Sequence, residues 1–124
     1  MSRPMKVRLE RDRGVDVIRL AVGGSQVELQ AFDVEQVIEQ LSFFRAAMQP
    51  AVPEQVSSTD RFVVEMDPCW YVEPHPLVDG LALFLRHTGY GWAGFVFSDE
   101  RLDELRHELS EYESNVETRF ELPN

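Results

Sequence analysis

The hydrophobic periodicity of this chain changes twice from the two-residue repeat of strands to the 3.6-residue repeat of helices. Residues 5–31 alternate apolar and polar side chains, with a polar turn at 11–14 and a hairpin signal at Gly23-Gly24. This pattern predicts a three-stranded meander. Residues 62–97 show a similar arrangement with more aromatic side chains, so the predicted order is βββαβββα.

The first helix is predicted to begin at Asp33, because Gln36 follows it at the spacing of a capping box. Pro50 ends this helix near Gln49 and opens a connector rich in proline and serine over residues 50–60. The apolar residues of the helix recur at helical spacing and form one stripe, namely Val34, Val37, Ile38, Leu41, Phe44 and Met48.

The second half is predicted to hold a strand over Phe62–Met66 that is interrupted at Asp67-Pro68 and resumes over Cys69–Glu73. A hairpin with strands over 81–86 and 92–97 follows. Ser98 is a favourable N-cap for a second helix. Its predicted buried stripe consists of Leu102, Leu105, Leu109 and Tyr112.

These patterns predict an α+β fold in which two amphipathic helices pack on one face of an antiparallel sheet of about six strands. Residues 1–113 are expected to form one domain, followed by an acidic tail over residues 114–124 that is either mobile or docks through Val116, Phe120 and Leu122. The segments LQAFDVEQVIEQL and FVFSDERLDEL occupy equivalent positions in the two halves. One interpretation is an internal duplication, and the other is that a meander followed by a helix is simply a common arrangement.

The charge of the chain restricts its partners. Twenty-two acidic and twelve basic residues give a formal net charge of −10, which disfavours direct binding of nucleic acid or an anionic membrane. A single cysteine is typical of a reducing compartment, and no apolar run reaches membrane-spanning length. We therefore expect a cytoplasmic protein with no signal peptide.

Catalytic and metal-binding patterns are weak. Cys69, His75, His87 and His107 show no metal-ligand spacing. Cys69 with His75 or His87 could be drawn as a nucleophilic dyad, but a lone cysteine in an aromatic strand is more often a packing residue. The glycines fall at turns or in a strand rather than before a helix that could bind phosphate. The sequence thus predicts a protein that is not an enzyme, with no catalytic residues, cofactor or metal.

One face of the second helix is densely acidic. The residues opposite its leucine stripe, together with the adjacent Glu108, are the predicted partner-binding set: Glu100, Asp103, Glu104, His107, Glu108 and Glu111. This face either keeps a small protein soluble or docks a basic partner, including one whose natural ligand is nucleic acid. Small acidic proteins of this kind include bacterial secretion chaperones, immunity proteins and phage-encoded inhibitors that imitate DNA, a similarity of size and charge alone.

Aromatic residues supply a second set of candidates. Tyr71 and Tyr90 are predicted to be exposed contact residues, and Phe43 is predicted to project away from its helix stripe, which suggests a partner contact or a homodimer. The principal hypothesis is an inhibitor or adaptor that docks a basic protein. The alternative is a small-molecule-binding domain or small enzyme with an aromatic pocket around Trp70 and Trp92.

Overall fold

The computed structural model describes residues 4–57, 59 and 61–120, with side chains described as far as Val116. It confirms the α+β class and the order βββαβββα. The chain divides into two compact units, Met1–Phe62 and Val63–Asn124. The elements are β1 Met5–Asp12, β2 Val15–Val22, β3 Ser25–Leu29, α1 Ala31–Ala47, β4 Trp70–Pro74, β5 Gly80–His87, β6 Gly91–Ser98 and α2 Asp99–Phe120.

The first unit is the predicted antiparallel meander in the order β1-β2-β3. Its first turn places Arg13 and Gly14 at φ 54° and 82°, and its second turn begins at Gly23 with φ 60°. The alternation of apolar residues in β2 changes phase between Val17 and Ile18, but the cross-strand pairs are continuous through both residues, so the strand contains no bulge there. Direct partners across the sheet share a face.

The two faces of this sheet differ in chemistry. One face carries the apolar residues Met5, Val7, Leu9, Ile18, Leu20, Val22, Val27 and Leu29. On the other face the guanidinium of Arg19 is 2.9 Å from Glu10 and 3.6 Å from Glu28. The hydrogen bond to Glu10 raises the pKa of Arg19 above its ordinary value. Val17 is buried on this charged face, with 5% of its surface exposed.

The N-cap of helix α1 lies three residues before the predicted cap, Asp33. Gln30 is the N-cap, and the Asp33 carboxylate accepts a hydrogen bond from the Gln30 backbone N–H at 3.0 Å. Asp33 is therefore the third helical residue rather than the cap. The apolar stripe is half-buried only through Ile38, and Leu41, Phe44 and all other α1 residues beyond it are exposed. The helix contacts β2 and β3, and within the described residues it makes no contact with β1.

The second unit is also an antiparallel meander, in the order β4-β5-β6. The predicted hairpin over 81–86 and 92–97 is confirmed, but the predicted strand over Phe62–Met66 is wrong. Asp67 has φ 46° and Pro68 lacks an N–H, so the ladder begins only after them. Both sheet faces carry large apolar side chains, with Tyr71, Phe84, Trp92 and Val96 on one and Trp70, Val72, Leu83 and Phe95 on the other.

Helix α2 begins as predicted and ends later. The Ser98 hydroxyl accepts a hydrogen bond from the Arg101 N–H at 3.3 Å, which confirms Ser98 as the cap. The helix continues to Phe120, so much of the predicted tail over residues 114–124 is helical, and residues 121–124 lie outside the described chain. The helix contacts β5 and β6, and within the described residues it makes no contact with β4.

The prediction of one six-stranded sheet is wrong, because the strands form two separate three-stranded sheets. Each sheet is built from hairpins between consecutive strands, and residues 48–69 between them contain no strand in their described part. In both units the helix contacts the second and third strands of its own sheet. The prediction of one domain over residues 1–113 stays a prediction.

Candidate interaction surface

The acidic face of α2 is accessible. All six residues predicted there, Glu100, Asp103, Glu104, His107, Glu108 and Glu111, are exposed. Between Asp99 and Val116 the helix carries seven acidic residues and two arginines. Asp99 and Glu100 lie in the first turn, where negative charge complements the partial positive charge of the helix N-terminus.

Ion pairs neutralise only part of this face. Arg101 is 3.1 Å from Glu104, and Arg106 is 3.1 Å from Asp103. Both pairs are highly exposed and join residues three apart, so each contributes only a few tenths of a kcal/mol, roughly 0.3–0.5. Glu108 forms no ion pair within the described residues. The C-terminal half of the described helix therefore keeps most of its negative charge.

The same half of α2 also exposes part of its apolar stripe. Leu102 and Leu105 are half-buried, whereas Leu109 is 55% and Tyr112 is 67% exposed. At 100° per residue, one carboxylate flanks each exposed apolar residue, Glu108 beside Tyr112 and Glu113 beside Leu109. We call Glu108, Leu109, Tyr112 and Glu113 the α2 patch. A pair of exposed apolar residues with carboxylates on both sides can bind an apolar side chain that has basic neighbours.

Tyr71 lies on an open aromatic shelf in the second sheet. Tyr71, Glu73, Phe84 and Trp92 share one face and line an open cavity of about 370 Å³. The Tyr71 hydroxyl donates a hydrogen bond to Glu73 at 3.0 Å, which raises the pKa of the phenol above its ordinary value. The Phe84 ring lies against Gly94, where a Cβ atom would be only 2.8 Å from it.

Trp70 does not join this shelf. Trp70 is paired with Leu85, and Trp92 is paired with the next residue, Arg86, so the two indoles leave opposite faces of the sheet. The predicted pocket lined by both tryptophans is therefore wrong. Alternation along β5 separates them, and only the register between strands could have shown this.

Tyr90 belongs to a polar cluster at the β5–β6 turn. Its ring stacks on the imidazole of His87, with centroids 4.5 Å apart. The backbone N–H groups of Gly89 and Tyr90 donate to Nδ1 of His87 at 3.0 and 3.1 Å. Nδ1 is thus an acceptor, and the proton of the neutral ring lies on Nε2, 4.0 Å from the Glu65 carboxylate.

Sequence reasoning missed Glu65. Its carboxylate accepts a hydrogen bond from the Thr88 hydroxyl, and this bond holds the pKa of Glu65 below its ordinary value. Glu65 lies in the segment predicted to be a strand, 23 residues from Thr88 in the chain. No local pattern could have joined two residues so far apart.

Phe43 is 72% exposed near the C-terminal end of α1. Its ring packs edge-on against Phe44 at 5.7 Å, and its role as a partner contact stays a prediction. Phe43 belongs to the first unit, whereas Tyr71, Tyr90 and α2 belong to the second. Within the described residues no hydrogen bond or ring contact joins either tyrosine to α2.

The structure does not bring Cys69 together with His75 or His87. The Cys69 carbonyl accepts a hydrogen bond from the Arg86 N–H at 3.0 Å, which extends the β4–β5 ladder by one pair. Cys69 therefore shares a face with Arg86, and His87 leaves the opposite face. His75 lies beyond the other end of β4. Among the described residues no three His, Cys, Asp or Glu side chains are grouped to hold a metal ion.

Within the described part of the chain, no helix is long and apolar enough to cross a bilayer. The chain matches no known family model, no curated protein and no solved structure.

Proposed function

We propose that this protein is a non-enzymatic interaction module, an inhibitor or adaptor, that docks a basic protein partner through α2. The observation that carries the proposal is the exposure of Leu109 and Tyr112 on a helix whose earlier leucines are half-buried. Packing of α2 on its own sheet requires apolar residues only in the half of the helix that contacts the sheet, and does not require Leu109 and Tyr112. The α2 patch thus combines an apolar anchor, Leu109 and Tyr112, with the negative charges of Glu108 and Glu113.

The chemistry of the patch selects the kind of partner. Apolar contacts supply most of the affinity of a small interface, whereas complementary charge speeds the encounter and fixes the orientation. The partner should therefore present an apolar side chain between lysine or arginine residues. A protein that binds nucleic acid has such surfaces, and an acidic helix can compete for them.

The first step of the test is to identify the partner through the patch itself. A photoreactive phenylalanine analogue in place of Tyr112 would be crosslinked in host cells, and the crosslinked protein identified by mass spectrometry. Tyr112 is exposed, so the replacement should leave the fold intact. The same analogue at Phe32, which is also exposed but lies in the first unit, is the matched control. A partner specific to the Tyr112 position is the expected result.

The second step measures the purified partner against charge variants. Glu108→Lys with Glu111→Lys reverses two exposed charges of the acidic face, of which Glu108 lies beside the apolar anchor. Lost attraction and added repulsion should cost about 1–3 kcal/mol of binding, or roughly 5- to 150-fold in Kd. Glu35→Lys with Glu39→Lys makes the same change in net charge on exposed positions of α1. If both pairs weaken binding equally, or neither does, the acidic surface of α2 is not the docking site.

A further inference from the structure

The charged face of β1 has an ordered pattern of charge. Alternate residues along this strand place Lys6 and Arg8 in its first half and Glu10 and Asp12 in its second half, all on one face. Two positive charges are thus followed by two negative charges. When two identical strands with this pattern run antiparallel, the positive half of each meets the negative half of the other. Such self-complementarity is what a two-fold symmetric interface requires.

The first unit leaves these charges largely unused. Glu10 is bonded to Arg19 on β2, but Lys6, Arg8 and Asp12 form no ion pair within 4.0 Å among the described residues. Arg8 even lies directly across from Arg19, a like-charge pair that disfavours the sheet. An acidic residue from another strand beside Arg8 would relieve this repulsion.

The edge of β1 is also open. The strand pairs with β2 on one side, and among the described residues no strand pairs with its other side. Its apolar face is uncovered as well, because α1 contacts only β2 and β3. Met5, Val7 and Leu9 are 65%, 59% and 71% exposed. An eight-residue edge with free N–H and C=O groups can accept a further strand.

The charge pattern selects a register. Along a strand, even-numbered residues point to one face and odd-numbered residues to the other. The charged faces of the two β1 strands therefore lie on the same side of the joined sheet only if the numbers of opposing residues add up to an even sum. Pairing Leu9 with Leu9 of a second copy places Arg8 opposite Glu10 and Lys6 opposite Asp12. Symmetry doubles these contacts, which gives four attractive pairs and no repulsive pair.

The neighbouring registers are electrostatically worse. A shift that pairs Arg8 with Arg8 of the second copy puts two positive charges on the symmetry axis. A shift that pairs Val7 with Val7 sets Lys6 against Arg8 twice. A shift that pairs Glu10 with Glu10 opposes two carboxylates. Like charges directly across a ladder destabilise it. Only the register centred on Leu9 therefore avoids like-charge pairs on the charged face.

We propose that two copies of this chain associate through β1, antiparallel and centred on Leu9, to join their first sheets into one six-stranded sheet. The occupant of the open edge is a second copy because the strand complements itself in charge. On the apolar face of this register, Leu9 lies opposite Leu9, and the aliphatic stem of Arg11 lies opposite Val7 of the second copy. One strand of eight residues from each copy forms this interface, so association should be weaker than in an obligate dimer.

Disulfide trapping tests both the dimer and its register. In the full chain with Cys69→Ser, Leu9→Cys places two cysteines at a cross-strand spacing of about 4.5–5.5 Å, within the range for a disulfide. Val7→Cys is the matched control, since in this register it lies about 13 Å along the ladder from its symmetry mate. Leu9 and Val7 are both exposed, so each variant should fold. Rapid dimerisation of the Leu9 variant alone is expected.

Two outcomes of this trapping would overturn the proposal. One is a Leu9→Cys dimer that forms no faster than the Val7→Cys dimer. The other is faster trapping of Arg8→Cys than of Leu9→Cys, which would place the axis one residue away from Leu9.

A charge exchange provides an independent test by sedimentation. Lys6→Asp or Asp12→Lys alone should weaken self-association about tenfold, because each removes two attractive pairs and creates two repulsive pairs. The double variant Lys6→Asp with Asp12→Lys restores the attraction with opposite polarity and should return association to the level of the natural chain. A double variant as weak as the single ones, or a natural chain that stays monomeric at every concentration, would contradict the proposal.

Discussion

Among the glycines of the second unit, Gly80 is the one at which substitution by alanine should destabilise the fold most. A Cβ atom at Gly80 would overlap the backbone carbonyl oxygen of Phe97, and backbone cannot turn aside as a flexible side chain can. Gly80 also pairs with Ser98, the cap of α2. Gly80→Ala should therefore force apart the end of the β5–β6 ladder from which α2 begins.

The cost can be worked out from the hydrogen bonds at this end of the sheet. The Asp99 N–H donates to the Asp79 carbonyl at 3.3 Å, and the His75 N–H donates to the Gly80 carbonyl at 3.2 Å. Each such bond contributes about 0.5–1.5 kcal/mol, so losing both removes about 1–3 kcal/mol. In a unit of this size, 1 kcal/mol shifts Tm by about 4–8 °C, and a fall of roughly 10 °C is expected.

Differential scanning calorimetry of the full chain would measure this fall. Gly89→Ala is the control in the same unit, because a Cβ atom there meets only the His87 ring, at 3.5 Å, an ordinary contact. Its Tm should stay within a degree or two of that of the natural chain. A Gly80→Ala protein with an unchanged Tm would refute the close approach of β5 to the end of β6.

Two further predictions concern side-chain titrations. Thr88→Val should raise the pKa of Glu65 toward its ordinary value, as followed by NMR, because the Thr88 hydrogen bond is the main cause of its depression. A depressed carboxyl stabilises the fold above its unfolded pKa, so the stability advantage over Thr88→Val should shrink as pH falls through the folded pKa. Glu73→Gln should lower the pKa of Tyr71, read from tyrosinate absorbance, because Glu73 is the main cause of its elevation. A raised phenol pKa stabilises the fold below its unfolded value, and this stability is lost as pH rises through the folded pKa. An unchanged titration in either variant would rule out the corresponding hydrogen bond.

Local patterns were sufficient for most of the secondary structure. Gly23 adopts the positive φ that a tight hairpin needs, and Ser98 bonds the N–H three residues ahead, so both signals act within four residues. The Asp33 cap failed because an acidic residue suits the cap and the third helical position equally well, and only the structure shows that Gln30 precedes the helix.

The arrangement of elements depended on contacts that no local pattern contains. The β-branched and aromatic residues of Phe62–Met66 are typical of a strand, yet a strand also needs a neighbour to accept its hydrogen bonds. The stripe of α2 predicted burial equally for Leu102 and Tyr112, because periodicity reports which face a residue occupies and not how far the packing extends. For this reason the sequence did not predict the exposure of Leu109 and Tyr112 in the α2 patch, the feature on which the proposed function rests.

The salt dependence of partner binding is the most direct test of that function. For the partner crosslinked at Tyr112, Kd should rise steeply with sodium chloride concentration, because the attraction of the α2 patch is screened beyond about 8–10 Å at physiological ionic strength. Glu108→Lys with Glu111→Lys should flatten this dependence, whereas Glu35→Lys with Glu39→Lys should leave it unchanged. Equal salt dependence in the natural chain and in the α2 variant would contradict docking through the acidic helix.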